Sequence, residues 1–73
     1  MRIRLENGDE ITLTTDEMQS RAFKAGLKSE GAESDPRVWR HLSLAQKIGY
    51  WARRKDPIPL TKEEVREALR PKE

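Results

Sequence analysis

The chain has no cysteine. That absence excludes a disulfide staple and a cysteine-ligated zinc site, and it suits a cytoplasmic compartment. Aromatic residues are few: two tryptophans, one tyrosine and one phenylalanine. No apolar run approaches the length of a signal peptide or a membrane span, so no membrane partner is expected. The four glycines, Gly8, Gly26, Gly31 and Gly49, are scattered and form no phosphate-binding loop. The single histidine, His41, has no acidic residue in its own helical segment. It reads as a packed or surface side chain rather than a base or metal ligand. Glu63, Glu64 and Glu67 read as a solvated face. With no catalytic motif, the expectation is a protein that is not an enzyme and uses no cofactor.

Apolar residues are also short, at 34% against 38% charged, in a chain of 73 residues. A domain of that size buries only roughly 60% of the surface its unfolded chain exposes, so the core is thin and few side chains are spare. Charge, by contrast, is plentiful and unevenly placed. Residues 1–35 carry five cations and eight anions. Residues 36–55 carry six cations (Arg37, Arg40, Lys47, Arg53, Arg54, Lys55) and no anion. The remainder is nearly balanced. A mildly acidic frame thus surrounds one basic stretch, which suits an acidic protein surface or a phosphate backbone. The alternative is a solvated face whose charges pair with the acidic N-terminal third.

The fold expected is α+β: an N-terminal β-hairpin packed on two α-helices, then a short C-terminal helix or mobile tail. Residues 1–56 form the core unit and 57–73 a weakly docked or disordered tail. In Met1–Thr14, Ile3, Leu5, Ile11 and Leu13 alternate with polar residues, as in half-buried strands. A two-residue Asn7-Gly8 turn would set Leu5 opposite Glu10, mixing the faces. A longer loop, Asn7-Gly8-Asp9, or a bulge sets Leu5 opposite Ile11 and Ile3 opposite Leu13. The outer strand edges are expected to stay unpaired, open to a partner strand. Thr14 and Glu17 form a capping box that starts a helix running to about Lys28, with Leu13 and Met18 as its staple. Gly26 either weakens that helix or marks close packing. A polar loop, Ser29–Asp35, follows.

Pro36–Lys55 reads as one long helix, capped by Asp35 or Ser34, with Pro36 at its first position. Val38, Leu42, Ala45, Gly49 and Ala52 lie on one buried stripe, widened by Leu44, Ile48 and Trp51. Trp39 and Tyr50 fall off that stripe, facing either a partner or a second buried side. Asp56-Pro57-Ile58-Pro59 ends the helix and uncouples the tail. There Thr61 and Glu64 repeat the capping box, Leu60 and Val65 the staple, and Pro71 ends the last helix.

Two resemblances bear on function. Ser43–Arg53, SLAQKIGYWAR, resembles the second helix of ParD-like antitoxins, whose pattern is S-V-A-x-Q-I-x-Y-W-A-R. Ser43, Ala45, Ile48, Tyr50, Trp51, Ala52 and Arg53 match. That likeness implies a ribbon-helix-helix dimer that binds operator DNA and a cognate toxin. The chain departs from the plan in having a hairpin where one strand belongs and a long segment, Ser29–Leu42, before Ser43. In length and order of elements the whole chain is similar to small phage-encoded inhibitors and antiterminators that bind host RNA polymerase. That layout implies a monomer, free in the bacterial cytoplasm, that grips the two large polymerase subunits, inhibiting initiation and suppressing termination. The preferred reading is a non-enzymatic transcription regulator acting by protein–protein contact. The surface expected to carry it is Arg2, Arg4, Trp39, Arg40, Lys47, Tyr50, Arg53 and Arg54. The alternative is a DNA-binding repressor of the antitoxin class.

Overall fold

A computed structural model of the chain describes residues 1–70. The architecture is α+β: two antiparallel strands, β1 (Arg2–Arg4) and β2 (Glu10–Thr12), precede five helices. These are α1 (Thr15–Met18), α2 (Arg21–Leu27), α3 (Pro36–His41), α4 (Leu44–Arg54) and α5 (Lys62–Ala68), with a 3-10 turn at Ala32–Ser34. Residue Pro71, expected to end the last helix, lies outside the described residues.

The hairpin keeps the expected sidedness but not the expected partners. Ile3 faces Ile11, Arg2 faces Thr12 and Arg4 faces Glu10. The loop is Glu6-Asn7-Gly8, not Asn7-Gly8-Asp9. Leu5 N–H donates to Asp9 O at 2.8 Å and Gly8 N–H to Leu5 O at 3.0 Å. Gly8 closes the turn at φ +94°, a left-handed position that glycine takes without steric cost. Asn7 Oδ1 accepts from Asp9 N–H at 2.9 Å. The offset from the expected register is two residues, which leaves every side chain on its proper face. Ile3, Leu5, Ile11 and Leu13 are accordingly all buried.

Both long helices expected from the sequence are broken at a serine. The first splits into α1 and α2 at Ser20, whose backbone turns out of the helix and whose Oγ accepts from Phe23 N–H at 3.4 Å. The second splits into α3 and α4 at Leu42-Ser43. Ser43 Oγ accepts from Gln46 N–H at 3.3 Å, and Gln46 Oε1 accepts from Ser43 N–H at 2.8 Å. This is a complete capping box, so Ser43 starts a new helix instead of continuing the old one. The buried stripe therefore begins at Ala45. Val38 and Leu44, assigned to it by periodicity, are 45% and 41% exposed, because the break resets the helical phase. The capping boxes at Thr14/Glu17 and Thr61/Glu64 are formed as expected. Asp35 caps α3, accepting from Arg37 N–H at 3.0 Å.

α2 and α4 cross backbone to backbone. A Cβ on Gly26 would lie 2.0 Å from Gln46 O, and one on Gly49 would lie 2.3 Å from Phe23 O. Close packing is thus what Gly26 provides. Around this crossing the core gathers Phe23, Ala45 and Ile48 with the inner face of the hairpin.

The tail belongs to the same core, contrary to the expected division at residue 56. Ile58, Val65 and Leu69 are buried beside Leu5 and Phe23. Ile58 also pairs with the outer edge of β1, donating to Arg4 O and accepting from Glu6 N–H, both at 2.9 Å. The flanking prolines offer no N–H of their own, so the pairing is confined to one residue. They aim Ile58 at the strand rather than uncoupling the tail. Arg66 on α5 completes the attachment, pairing with the buried Glu17 carboxylate and donating to Thr12 O at 3.1 Å. Burying Glu17 is tolerable because its carboxylate also closes the first capping box, accepting from Thr14 N–H at 2.7 Å. The outer edge of β1 is not open to a partner strand at Ile58.

Candidate basic and aromatic interface

The helix break that removes Val38 from the core also builds the site. Because the chain turns at Leu42-Ser43, α3 folds back beside α4 instead of extending it. None of the six residues of α3 is buried. Its contact with α4 is made by Trp39, half-buried against two rings of that helix. Trp39 meets Tyr50 edge-on with centroids 5.3 Å apart and Trp51 edge-on at 5.4 Å. Both arrangements match the electrostatic preference of aromatic pairs, in which a positive ring edge meets a negative face.

Cations continue the row. Lys47 Nζ lies 5.3 Å from the Trp39 ring centroid, and the Arg54 guanidinium lies 5.7 Å from that of Tyr50. Lys47, Tyr50 and Arg54 follow one another along one side of α4, and Trp39 meets the first two from α3. Arg54 also donates to Asp56 Oδ2 at 3.0 Å and to Tyr50 Oη at 3.3 Å. The Asp56 carboxylate first, then Tyr50, holds the Arg54 guanidinium more firmly charged than usual. Tyr50 is 3% exposed; it supports the site from beneath and is not a contact surface. The open question of whether Trp39 and Tyr50 face a partner or a second buried side resolves toward burial for Tyr50. Trp39 does both.

The remaining expected site residues are dispersed. Arg40 is exposed on α3. Arg53 points the other way, donating to Leu27 O at 3.0 Å and pairing with Glu30, so it ties α4 to the end of α2. Arg2 and Arg4 are exposed on the outer face of the hairpin, Arg2 lying 4.0 Å from Glu10. They line a shallow recess with Ala52, Lys55 and Asp56 at the C-terminal end of α4. The basic stretch is therefore partly consumed by internal pairing, at Arg53 and Arg54, and partly free. Arg37, Arg40 and Lys47 have no ion-pair partner among the described residues; Arg37 and Arg40 share α3 with exposed Val38, and Lys47 lies against the Trp39 ring. Arg37 and Val38 were absent from the expected surface. The capping box at Ser43 is the signal that reveals them, because it ends the stripe to which Val38 had been assigned.

Among the described residues no group of histidines and carboxylates is placed to hold a metal, and no helix is long and apolar enough to cross a membrane. The segment that resembles the antitoxin helix coincides with α4 and its cap. The likeness does not extend to the strand. A ribbon-helix-helix strand pairs with that of a second chain, whereas β1 is bonded to β2 on one edge and to Ile58 on the other. No family model matches the chain, and neither a curated protein nor a solved structure does.

Proposed function

We propose that this chain is a non-enzymatic regulator of transcription that acts by protein–protein contact, docking α3 and the adjoining side of α4 on an acidic partner surface. The observation that supports the reading is α3 itself. A helix that buries none of its residues adds little to the core, yet a three-ring cluster fixes it in one orientation. It presents Val38, 45% exposed, and the edge of Trp39. An exposed apolar residue and a tryptophan edge on a helix that also carries Arg37 and Arg40, with Lys47 against the ring, have the composition of an interface anchor with a polar rim. The similarity in layout to phage-encoded polymerase inhibitors makes the large subunits of bacterial RNA polymerase the partner to test first, with initiation and termination as the steps affected.

The test uses purified bacterial core polymerase and the labelled chain in a titration with kinetics. Arg37→Glu combined with Arg40→Glu is expected to weaken binding by about tenfold or more and to slow association, since exposed charges steer encounter. The thermal unfolding curve of the double variant should match that of the parent, because both side chains are exposed. Absence of binding by the parent chain, or equal binding by the variant, overturns the proposal.

A further inference from the structure

On another part of the surface, away from the three-ring cluster, the chain carries a second feature of opposite character. The corner between α1 and α2, the start of α4 and the length of α5 enclose an open groove of about 1450 Å³. Its floor is made of alanines from three elements, Ala22, Ala45 and Ala68, with Leu44, 41% exposed, at its lip. Its rim is acidic. Among the described residues, Asp16, Glu63, Glu64 and Glu67 border it against Arg21 and Arg70, and Arg70 is already paired with Glu67 at 3.3 Å. Asp16 and Glu63 have no ion-pair partner among the described residues.

We propose that this groove is a second docking surface, and that it takes a cationic amphipathic helix from a partner protein. Size argues against a small molecule, since such pockets run to roughly 300–1,000 Å³ and are more enclosed. The floor argues for a helix. Three short side chains on converging elements leave depth for the apolar row of an incoming helix, the helix-in-groove mode of recognition. The rim selects its charge: lysines or arginines flanking that apolar row would meet Asp16 on one wall and Glu63 on the other. The groove uses none of the α3 residues on which the functional reading rests. The chain thereby carries two surfaces of opposite charge, one for an acidic partner and one for a basic segment.

The experiment records amide chemical shifts of the isotopically labelled chain during titration with a synthetic amphipathic helix of Leu, Ala and Lys. The matching helix with Glu in place of Lys and a lysine peptide without leucine serve as comparisons. The Lys helix is expected to shift Ala22, Leu44, Ala45 and Ala68, leaving Arg37, Val38 and Arg40 unmoved. The two comparison peptides should leave the groove unchanged. Asp16→Asn with Glu63→Gln should weaken the interaction by about tenfold, the loss expected when rim charges that select a partner are removed. Leu44→Ala should weaken it separately while the remaining amide spectrum stays in place. Equal binding of all three peptides, or shifts centred on α3, overturns the proposal. So does a groove already filled by a second copy, seen as concentration-dependent shifts at these alanines without any peptide.

Discussion

The two sides of α4 are built on opposite principles. Toward α2 it presents Gly49, and the two backbones touch with no side chain between them. Toward α3 it presents Tyr50 and Trp51, whose rings meet that of Trp39 edge-on. The first contact is dry, short and intolerant of a single added carbon. The second is wide, half-exposed and supported at its margins by Lys47 and Arg54. One side fixes where the core elements lie. The other holds a surface helix in position without drawing it into the core. A chain with four aromatic residues has placed three of them at the contact between α3 and α4, and of these Trp51 also packs against the main core that holds Phe23.

The largest expected effect tests the glycine side. In an ordinary helix interior, replacing glycine by alanine stabilises by about 1 kcal/mol. At Gly49 the sign should reverse, because the new Cβ would sit 2.3 Å from Phe23 O. Gly49→Ala is expected to destabilise by about 3 kcal/mol in chemical denaturation, the upper range for overpacking against an unyielding neighbour. A neutral or stabilising result would mean that the helices can slide apart at little cost, and the contrast between the two sides would dissolve.

A smaller effect is expected on the aromatic side. Trp39→Ala removes two edge-to-face pairs, each worth about 0.5–1.5 kcal/mol beyond area burial. The expected loss is about 2 kcal/mol, with cooperative unfolding retained and hydrogen exchange accelerated chiefly in α3. If exchange rises equally in α2 and the hairpin, α3 is part of the core after all.

The smallest effect sharpens where α4 ends. Lys55 caps it in the left-handed region at φ +61°, a conformation that glycine adopts without strain. Lys55→Gly should therefore stabilise by about 0.5–1 kcal/mol, the side-chain strain relieved exceeding the added entropy of the unfolded chain. A lower melting temperature would show that Lys55 makes a contact worth more than its strain.

What the sequence by itself determined is local. The N-caps at Thr14 and Thr61, and the cap before Pro36 that the sequence narrows to Asp35 or Ser34, each depend on residues no more than three positions away. The sidedness of the hairpin depends on an alternation of period two, which survives a register error of two residues. The unequal distribution of charge is a property of composition alone. The break at Ser43 was equally legible, since Ser43 and Gln46 spell a capping box, but the apolar periodicity running across it from Val38 to Ala52 concealed the signal. Ser20 had no such signature, because Phe23 stands where a glutamate or glutamine would complete the box.

Tertiary structure decided the rest. Whether Gly26 and Gly49 weaken their helices or let them touch depends on what lies opposite, and each glycine lies opposite the other helix. Whether Arg53 and Arg54 face a partner or their own chain depends on where Glu30 and Asp56 are carried by the fold. Whether the tail is loose depends on Ile58 finding the edge of β1 and Arg66 finding Glu17, across 49 positions of sequence. No periodicity encodes such meetings. They arise because a thin core leaves Leu5 and Phe23 to be covered, and Ile58, Val65 and Leu69 are the apolar side chains that the tail brings within reach.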